Sequence, residues 1–441
     1  MGRSRATRRE FLQTSGGLVG AATLLSTNAV VRMAHAAGSD ILRVALIGCG
    51  GRGHGAAQDC LNAAPNTMIV AVADAFEDRA RNVARSLREN PKFKDRVDIP
   101  EDRIFVGLDA YKAATDCGVD IVLLTSPPGF RPWHYRYAIE KGKHVFMEKP
   151  CCTDAPGYRL LMETNKLADE KGLKVVVGLQ RRHDPRYRET IARIHDGAIG
   201  KLLFTRVYWN GSGVWIRDRR PGMTEMQYQV HNWYYFVWLS GDHICEQNVH
   251  SVDIGNWVHG GHPVEANGMG GRQVRTGARH NHNVGHIYDH HFVEFTYADG
   301  SKMFSQCRHI PNCWNNVSEH AHGTEGYSNC SGVIEGRESW RYRGQGVNPY
   351  VEEHRNLIKA IMEGTPLNDG YHGADASMTA ILGRMATYSG QVVRWDDAVQ
   401  KGPAEVPPPE QWSWDAEPPV KPDENGSYEH AVAMPGVYKP Y

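Results

Sequence analysis

The sequence has no excess of charge of either sign. Lys+Arg and Asp+Glu each total 50 in 441 residues, so nothing recommends a nucleic-acid partner or a polybasic hold on a membrane. Cysteine is sparse: nine, scattered and odd in number, which excludes a disulfide framework. The adjacent Cys151-Cys152 pair is too tight for an ordinary bridge, and no CxxC spacing offers a zinc site. Beyond the N-terminal segment no apolar run approaches the length of a membrane span, so no integral membrane domain is expected and the mature chain reads as soluble. Internal repeats are absent as well. A hydrophobic content of 41% in a chain of this length does supply cores for two domains of ordinary size.

The N-terminal segment reads as an address. Thr7-Arg8-Arg9-Glu10-Phe11-Leu12 is a twin-arginine pattern, followed by an apolar run from Leu18 to Leu25 and by Ala34-His35-Ala36, a small-x-small cleavage site. Residues 1–37 are therefore expected to direct export by the twin-arginine route to the periplasm, and to be cleaved or kept as an anchor.

Residues 38–160 read as a nucleotide-binding domain. An apolar strand over Ile41–Ile47 runs into Gly48-Cys49-Gly50-Gly51-Arg52-Gly53 and then into a helix through Ala56-Ala57. In such a loop Gly48 permits the tight turn, Gly50 lets backbone approach a pyrophosphate, and Gly53 allows close helix–strand packing, with Gly51 and Arg52 beside them. A second strand, Met68 to Ala73, ends in Asp74, placed to accept the hydroxyls of an adenosine ribose. That carboxylate repels a 2′-phosphate and favours NAD over NADP, with Arg79 the residue that could soften the preference. Further strands over Asp120–Thr125, His144–Met147 and Lys174–Leu179 alternate with helices, the pattern of a doubly wound parallel sheet. Ligands lie at the carboxyl ends of such strands, so Thr125-Ser126-Pro127 and Glu148-Lys149-Pro150 are expected to face the cofactor.

After about residue 200 the texture changes. Strand-like runs over Leu202–Trp209, Phe292–Tyr297 and Lys302–Cys307 suggest a large, open, mostly antiparallel sheet in a substrate and oligomerisation domain, residues 161–400. Helices follow over Tyr350–Glu363 and Ala374–Gly390 and are expected to pack back on the first domain. Residues 401–441, rich in Pro, Glu and Asp, read as an irregular tail.

The glycine loop, Asp74, Glu148-Lys149-Pro150, Arg181-Arg182-His183-Asp184-Pro185 and the Gly-Arg-x-Ala-x-x-x-Gly pattern at Gly383–Gly390 together resemble the glucose-fructose oxidoreductase / inositol dehydrogenase / MocA family. The resemblance spans Ile41 to about Ala398 and implies an α/β fold, a Rossmann domain followed by an α/β domain with an open sheet. It implies that Lys149 lies by the nicotinamide and the substrate hydroxyl. It also implies a carboxylate and a histidine four residues apart, on one helical face, meeting the substrate. Here these are Glu246, where the family usually has Asp, and His250. Oxidising an alcohol needs a base for the hydroxyl proton and a cation beside the oxygen that gains charge; His250 with Lys149 fills these roles, in either order.

Arg182, His183, Trp215 and Arg217 are expected to line the substrate cleft, whereas Tyr235, Phe236 and Trp238 read as core. The histidine-rich stretch His280, His282, His286, His290, His291 reads as hydrogen-bonded surface or interface groups, with no metal. The expected function is an exported NAD-dependent oxidoreductase acting on a secondary hydroxyl of a sugar or sugar-like polyol. Because no NAD pool exists outside the cytoplasm, its cofactor should be tightly held and internally recycled. A glycoside hydrolase or lyase working through a transient keto-sugar, similar to the family's NAD-dependent glycosidases, is an alternative, as is a NAD-bound sugar sensor without turnover. An open apolar sheet face suggests a homodimer or homotetramer.

Overall fold

Val44, Ala45 and Leu46 have no exposed surface, as a strand buried on both faces of a parallel sheet requires. A computed structural model describes residues 41–275 and 284–441, so the export segment, His280 and His282 lie outside the described residues. The first sheet comprises β1 (Leu42–Ile47), β2 (Thr67–Asp74), β3 (Ile104–Val106), β4 (Ile121–Leu124), β5 (His144–Met147) and β6 (Val175–Val177). All its neighbours are parallel and their order is β3-β2-β1-β4-β5-β6. Strand order reverses between β1 and β4, which opens the crevice where doubly wound folds bind ligands.

The sixth strand corrects the expected domain boundary. Residue 160 falls inside the helix Ala155–Glu170, and β6 beyond it still belongs to the parallel sheet. Asp154 caps that helix, its Oδ1 accepting from the Gly157 amide at 2.7 Å.

The second sheet has nine strands: β7 (Leu202–Gly211), β8 (Glu265–Gly271), β9 (His290–Thr296), β10 (Lys302–His309), β11 (Asn316–Gly323), β12 (Gly326–Ser328), β13 (Val333–Gly336), β14 (Trp340–Arg341) and β15 (Val393–Arg394). The order is β14-β13-β12-β11-β7-β10-β9-β8-β15. Only the β7–β10 pair is parallel. Along β10 every second side chain is buried, Met303, Ser305, Cys307 and His309, as the two-residue period of a one-sided sheet requires. Helices Val249–His259 and Gly370–Ser389 cover that side. The other side exposes Met269 and Phe292.

Helix Pro349–Glu363 does pack back on the first domain, against the helix Gly51–Ala63 that follows the glycine loop. In the helix Gly370–Ser389 the buried Arg384 donates to the carbonyls of Thr153 at 2.9 Å and Gly241 at 3.2 Å, tying three segments together. Beyond Gly402 only two short helical turns interrupt an extended course. There Trp412 meets the Phe130 ring at 4.7 Å and Trp414 meets Phe76 at 5.4 Å. All nine cysteines are free thiols, and among the described residues no helix is long and apolar enough to cross a membrane.

Candidate active site

At the carboxyl ends of β1, β2 and β4 lies a cleft of about 400 Å³, lined by Gly48, Gly50, Gly51, Arg52, Gly53, Asp74, Thr125, Ser126 and Pro127. Backbone shapes it. A side chain at Gly53 would place its Cβ 1.9 Å from the Gly48 carbonyl oxygen, and Gly48 itself holds φ at +103° against the Thr125–Ser126 backbone. At Gly50 and Gly51 the space a Cβ would take is open. No side chain caps the helix Gly51–Ala63, so its first amides remain to receive an anion. These features fit the pyrophosphate of a dinucleotide. Asp74 closes one end: its Oδ2 accepts from the Cys49 amide at 2.6 Å and its Oδ1 from the Phe76 amide at 2.9 Å. Burial pushes the Asp74 carboxyl up, against those amides and Arg79. Aromatic groups Phe76, Tyr111, Phe130 and His134 form a wall of the same cleft, and Trp412 and Trp414 back it from outside.

A second cleft of about 310 Å³ adjoins the first, and Arg52, Thr125, Ser126, Trp233, Glu246 and Gln247 border both. Lys149, just past the end of β5, reaches into it. Its Nζ donates to the backbone carbonyl of Glu246 and lies 3.1 Å from Glu246 Oε1. Both side chains are 13% exposed, so the pair is shielded but within reach of a ligand. Burial pushes the Glu246 carboxyl up while Lys149 pulls it down. His250 is buried, its Nδ1 has no partner among the described residues, and its ring stacks on Trp209 at 5.6 Å. Burial first, then the nearby Lys149, Arg181 and Arg52, hold its pKa well below the usual imidazole range, so the ring is neutral.

Glu246 and His250 do meet in this cleft, but not on one continuous helix. The first ends the short helix His243–Glu246 and the second lies in Val249–His259, with Gln247 and Asn248 as the break between them. Glu148 sits in this second cleft and pairs with Arg52 at 2.6 Å, tying the glycine loop to the Lys149 loop. Arg131, which the sequence did not single out, is buried and donates to the carbonyls of Pro150 and Ser126, so it holds together the two loops expected to face the cofactor.

Four expected substrate residues lie elsewhere. Arg182 pairs with Asp253 at 2.8 Å, and His183 lies 3.3 Å from Asp369. Both border a separate cleft with Trp257 and Lys359. Arg181 turns the other way, bonded to Glu319 and 5.7 Å over Trp209. The cause is the tight turn Gln180–His183, where each residue rotates by about 120° from the last. Trp215 and Arg217, stacked at 3.8 Å, border the dinucleotide cleft with Asp74 and Arg79, not the Lys149 cleft. Arg217 is drawn there by Asn232, whose Oδ1 accepts from its amide at 2.8 Å.

Of the histidine-rich stretch, His291 joins Asp242 and His243 in a buried cluster with the spacing of metal ligands. The Asp242 oxygens already accept from the amide and Nδ1 of His243, from the Tyr288 amide and from the Tyr388 hydroxyl. Such a carboxylate is satisfied by hydrogen bonds.

Comparison with known proteins agrees with this geometry. Residues 42–179 match the profile of the Oxidoreductase family, NAD-binding Rossmann fold. Scyllo-inositol 2-dehydrogenase (NAD(+)) of Bacillus subtilis is 28% identical over 233 residues, 52% of this chain and 57% of that protein. Inositol 2-dehydrogenase/D-chiro-inositol 3-dehydrogenase of Halalkalibacterium halodurans is 34% identical over 219 residues, 49% of this chain and 52% of the relative. The chain thus spans little more than half the length of these curated relatives. Aldose-aldose oxidoreductase from Caulobacter crescentus, solved with glycerol, has the same fold, with TM-score 0.61, 16% identity and coverage of 80% of this chain and 99% of that one. Myo-inositol 2-dehydrogenase from Lactobacillus plantarum superposes with TM-score 0.59 at 20% identity, covering 80% and 99% of the two chains. The glycine loop, Asp74 and the Lys149 loop therefore stand in their expected framework, and residues 42–179 form an NAD-binding Rossmann domain that matches the Gfo/Idh/MocA oxidoreductases.

Proposed function

We propose that the protein is an exported oxidoreductase that moves hydride to or from a secondary hydroxyl of a sugar-like polyol, using NAD that it retains and recycles. The observation that carries this reading is the juxtaposition of Lys149, Glu246 and a neutral His250 in a cleft continuous with the dinucleotide cleft. Bound NAD supplies the hydride acceptor. The Lys149 ammonium stabilises the substrate oxygen as negative charge gathers on it. Glu246, in place of the His250 or Lys149 expected from the sequence, is the proton acceptor, because burial raises its carboxyl. A proton on His250 would instead add a cation beside Lys149, Arg181 and Arg52; the ring serves as a neutral hydrogen-bond partner over Trp209. Retention of cofactor follows from the export segment, since a protein loaded before export has no pool to draw on afterwards. The exposed apolar side chains Met269 and Phe292 on the open side of the second sheet support a homodimer.

The test is to purify the exported protein without added NAD, assay the bound cofactor, and add polyols and glycosides while following bound NADH. Cofactor that stays with the protein and is reduced by a polyol supports the reading. An empty protein that binds NAD weakly overturns the retained cycle. Release of free sugar from a glycoside with no net NADH identifies the keto-sugar hydrolase instead.

A further inference from the structure

One polar group at the junction of the two clefts has no part in the proton and hydride steps. Gln247 occupies the break between the helices that carry Glu246 and His250, and borders both the dinucleotide cleft and the Lys149 cleft. Chemistry fixes which way its amide points. The Trp209 indole N–H, a donor only, lies 2.6 Å from Gln247 Oε1. His309 Nε2 lies 3.2 Å from the same oxygen. On the far side of that ring Arg275 Nη2 is 3.1 Å from His309 Nδ1. A guanidinium can only donate, so Nδ1 accepts and the ring proton sits on Nε2, directed at Gln247. Burial, with His243 and Arg275 nearby, keeps His309 neutral, which preserves this single tautomer. Reversing the amide would set its two N–H groups against two other donors.

The oxygen of Gln247 is therefore committed behind the cleft, and its nitrogen has no partner among the described residues. A glutamine held in this way presents two fixed donors at the junction of the dinucleotide and Lys149 clefts. Those donors suit a neutral oxygen acceptor, and they lie one residue from Glu246, whose backbone carbonyl and carboxylate both hold Lys149.

We propose that Gln247 is a specificity residue that donates to a substrate hydroxyl oxygen on the carbon next to the one oxidised, so that the site selects vicinal diols. Arg275 and His309 are positioning residues, acting on the substrate only through Gln247. This inference rests on the polyol reading above. A substrate that covers the half-buried Gln247 but lacks the neighbouring hydroxyl leaves these donors unpaired, and a site built to bond a hydroxyl discriminates strongly against its absence.

The experiment compares scyllo-inositol, myo-inositol and D-glucose, each with its monodeoxy analogue, on the NAD-loaded protein, measuring kcat/KM together with the Kd for NADH. The wild type is expected to prefer the parent polyol over the deoxy analogue by roughly 10- to 100-fold. Gln247→Leu should erase that preference by lowering the parent alone, with the Kd for NADH unchanged. Gln247→Glu keeps the side-chain size and both accepted bonds but replaces the donor, so it should erase the preference too, even if the leucine variant fails to fold. Retention of the preference in either folded variant overturns the proposal. So does a weakened NADH affinity with the preference intact, which would assign the donor to the nicotinamide amide. Failure of every probe to bind the wild type overturns the polyol reading and this inference together, whereas binding that is insensitive to Gln247 overturns only the inference.

Discussion

Around Gly48, Gly50 and Gly53 the dinucleotide cleft is walled by backbone, whereas around Lys149 and Glu246 the adjoining cleft is walled by charged side chains that hold one another. The first accepts its ligand through amides and open space, and the second through groups whose charge state is set by burial. Added atoms therefore harm the first, and removed charges harm the second. A cofactor shared by many chemistries needs the former arrangement, and a particular reaction needs the latter.

The largest separation between the two clefts should come from Lys149→Ala, which is expected to lower turnover by roughly a thousandfold while the Kd for NADH changes by less than about threefold. Turnover that survives would remove the charge-based half of the contrast. Next, Gly53→Ala places a Cβ 1.9 Å from the Gly48 carbonyl oxygen. The resulting strain, about 1–3 kcal/mol, should weaken NADH binding by roughly 10- to 100-fold, read by fluorescence titration, with kcat at saturating cofactor nearly kept.

Acid tests whether the two halves fail together. Burial lowers His134, in the wall of the dinucleotide cleft, to about 3, and lowers His243, behind the other cleft, to about 4. The unfolded chain takes up these protons below the ordinary imidazole value of about 6.5, and the folded chain does not until each lowered value is reached. Stability should thus hold above about pH 6.5 and fall as pH drops toward 4, by about 1.4 kcal/mol per pH unit for each such histidine. Thermal melts across that window, with and without NADH, would check it; a melting point flat down to about pH 4.5 would contradict the buried neutral rings. The smallest effect on activity is expected from Arg182→Ala, since that side chain faces another cleft. kcat/KM should change by less than about twofold, although leaving the buried Asp253 unpaired should cost about 3 kcal/mol of stability, read by denaturant melts.

The parts of this site that were legible in the sequence are those set by local chemistry. A strand that ends in spaced glycines, a second strand that ends in Asp74, and a strand that ends in Glu148-Lys149-Pro150 each announce themselves within a few residues. What the sequence hid depends on direction and on distant partners. Arg181 and Arg182 are neighbours with the same side chain, and only the tight turn that carries them decides that one approaches Trp209 and the other Trp257. Trp215 and Arg217 are aromatic and basic, as a sugar pocket would want, yet Asn232 pins their loop to the dinucleotide cleft. Gln247 gave no signal, because its meaning comes from His309 and Arg275, which approach it from remote parts of the chain. The strands β3 and β14 went unread because two or three residues are too few for a period to show.

Trp412 and Trp414 have a consequence for the order in which the protein is made. Synthesis delivers the glycine loop first, and the aromatic wall at Phe76 and Phe130 gains its outer support only when residue 414 has been added. A nascent chain therefore holds a recognisable dinucleotide site long before it holds a finished one. Cofactor capture by the growing polypeptide should be brief and reversible, and durable capture an event that waits for residues 412–414.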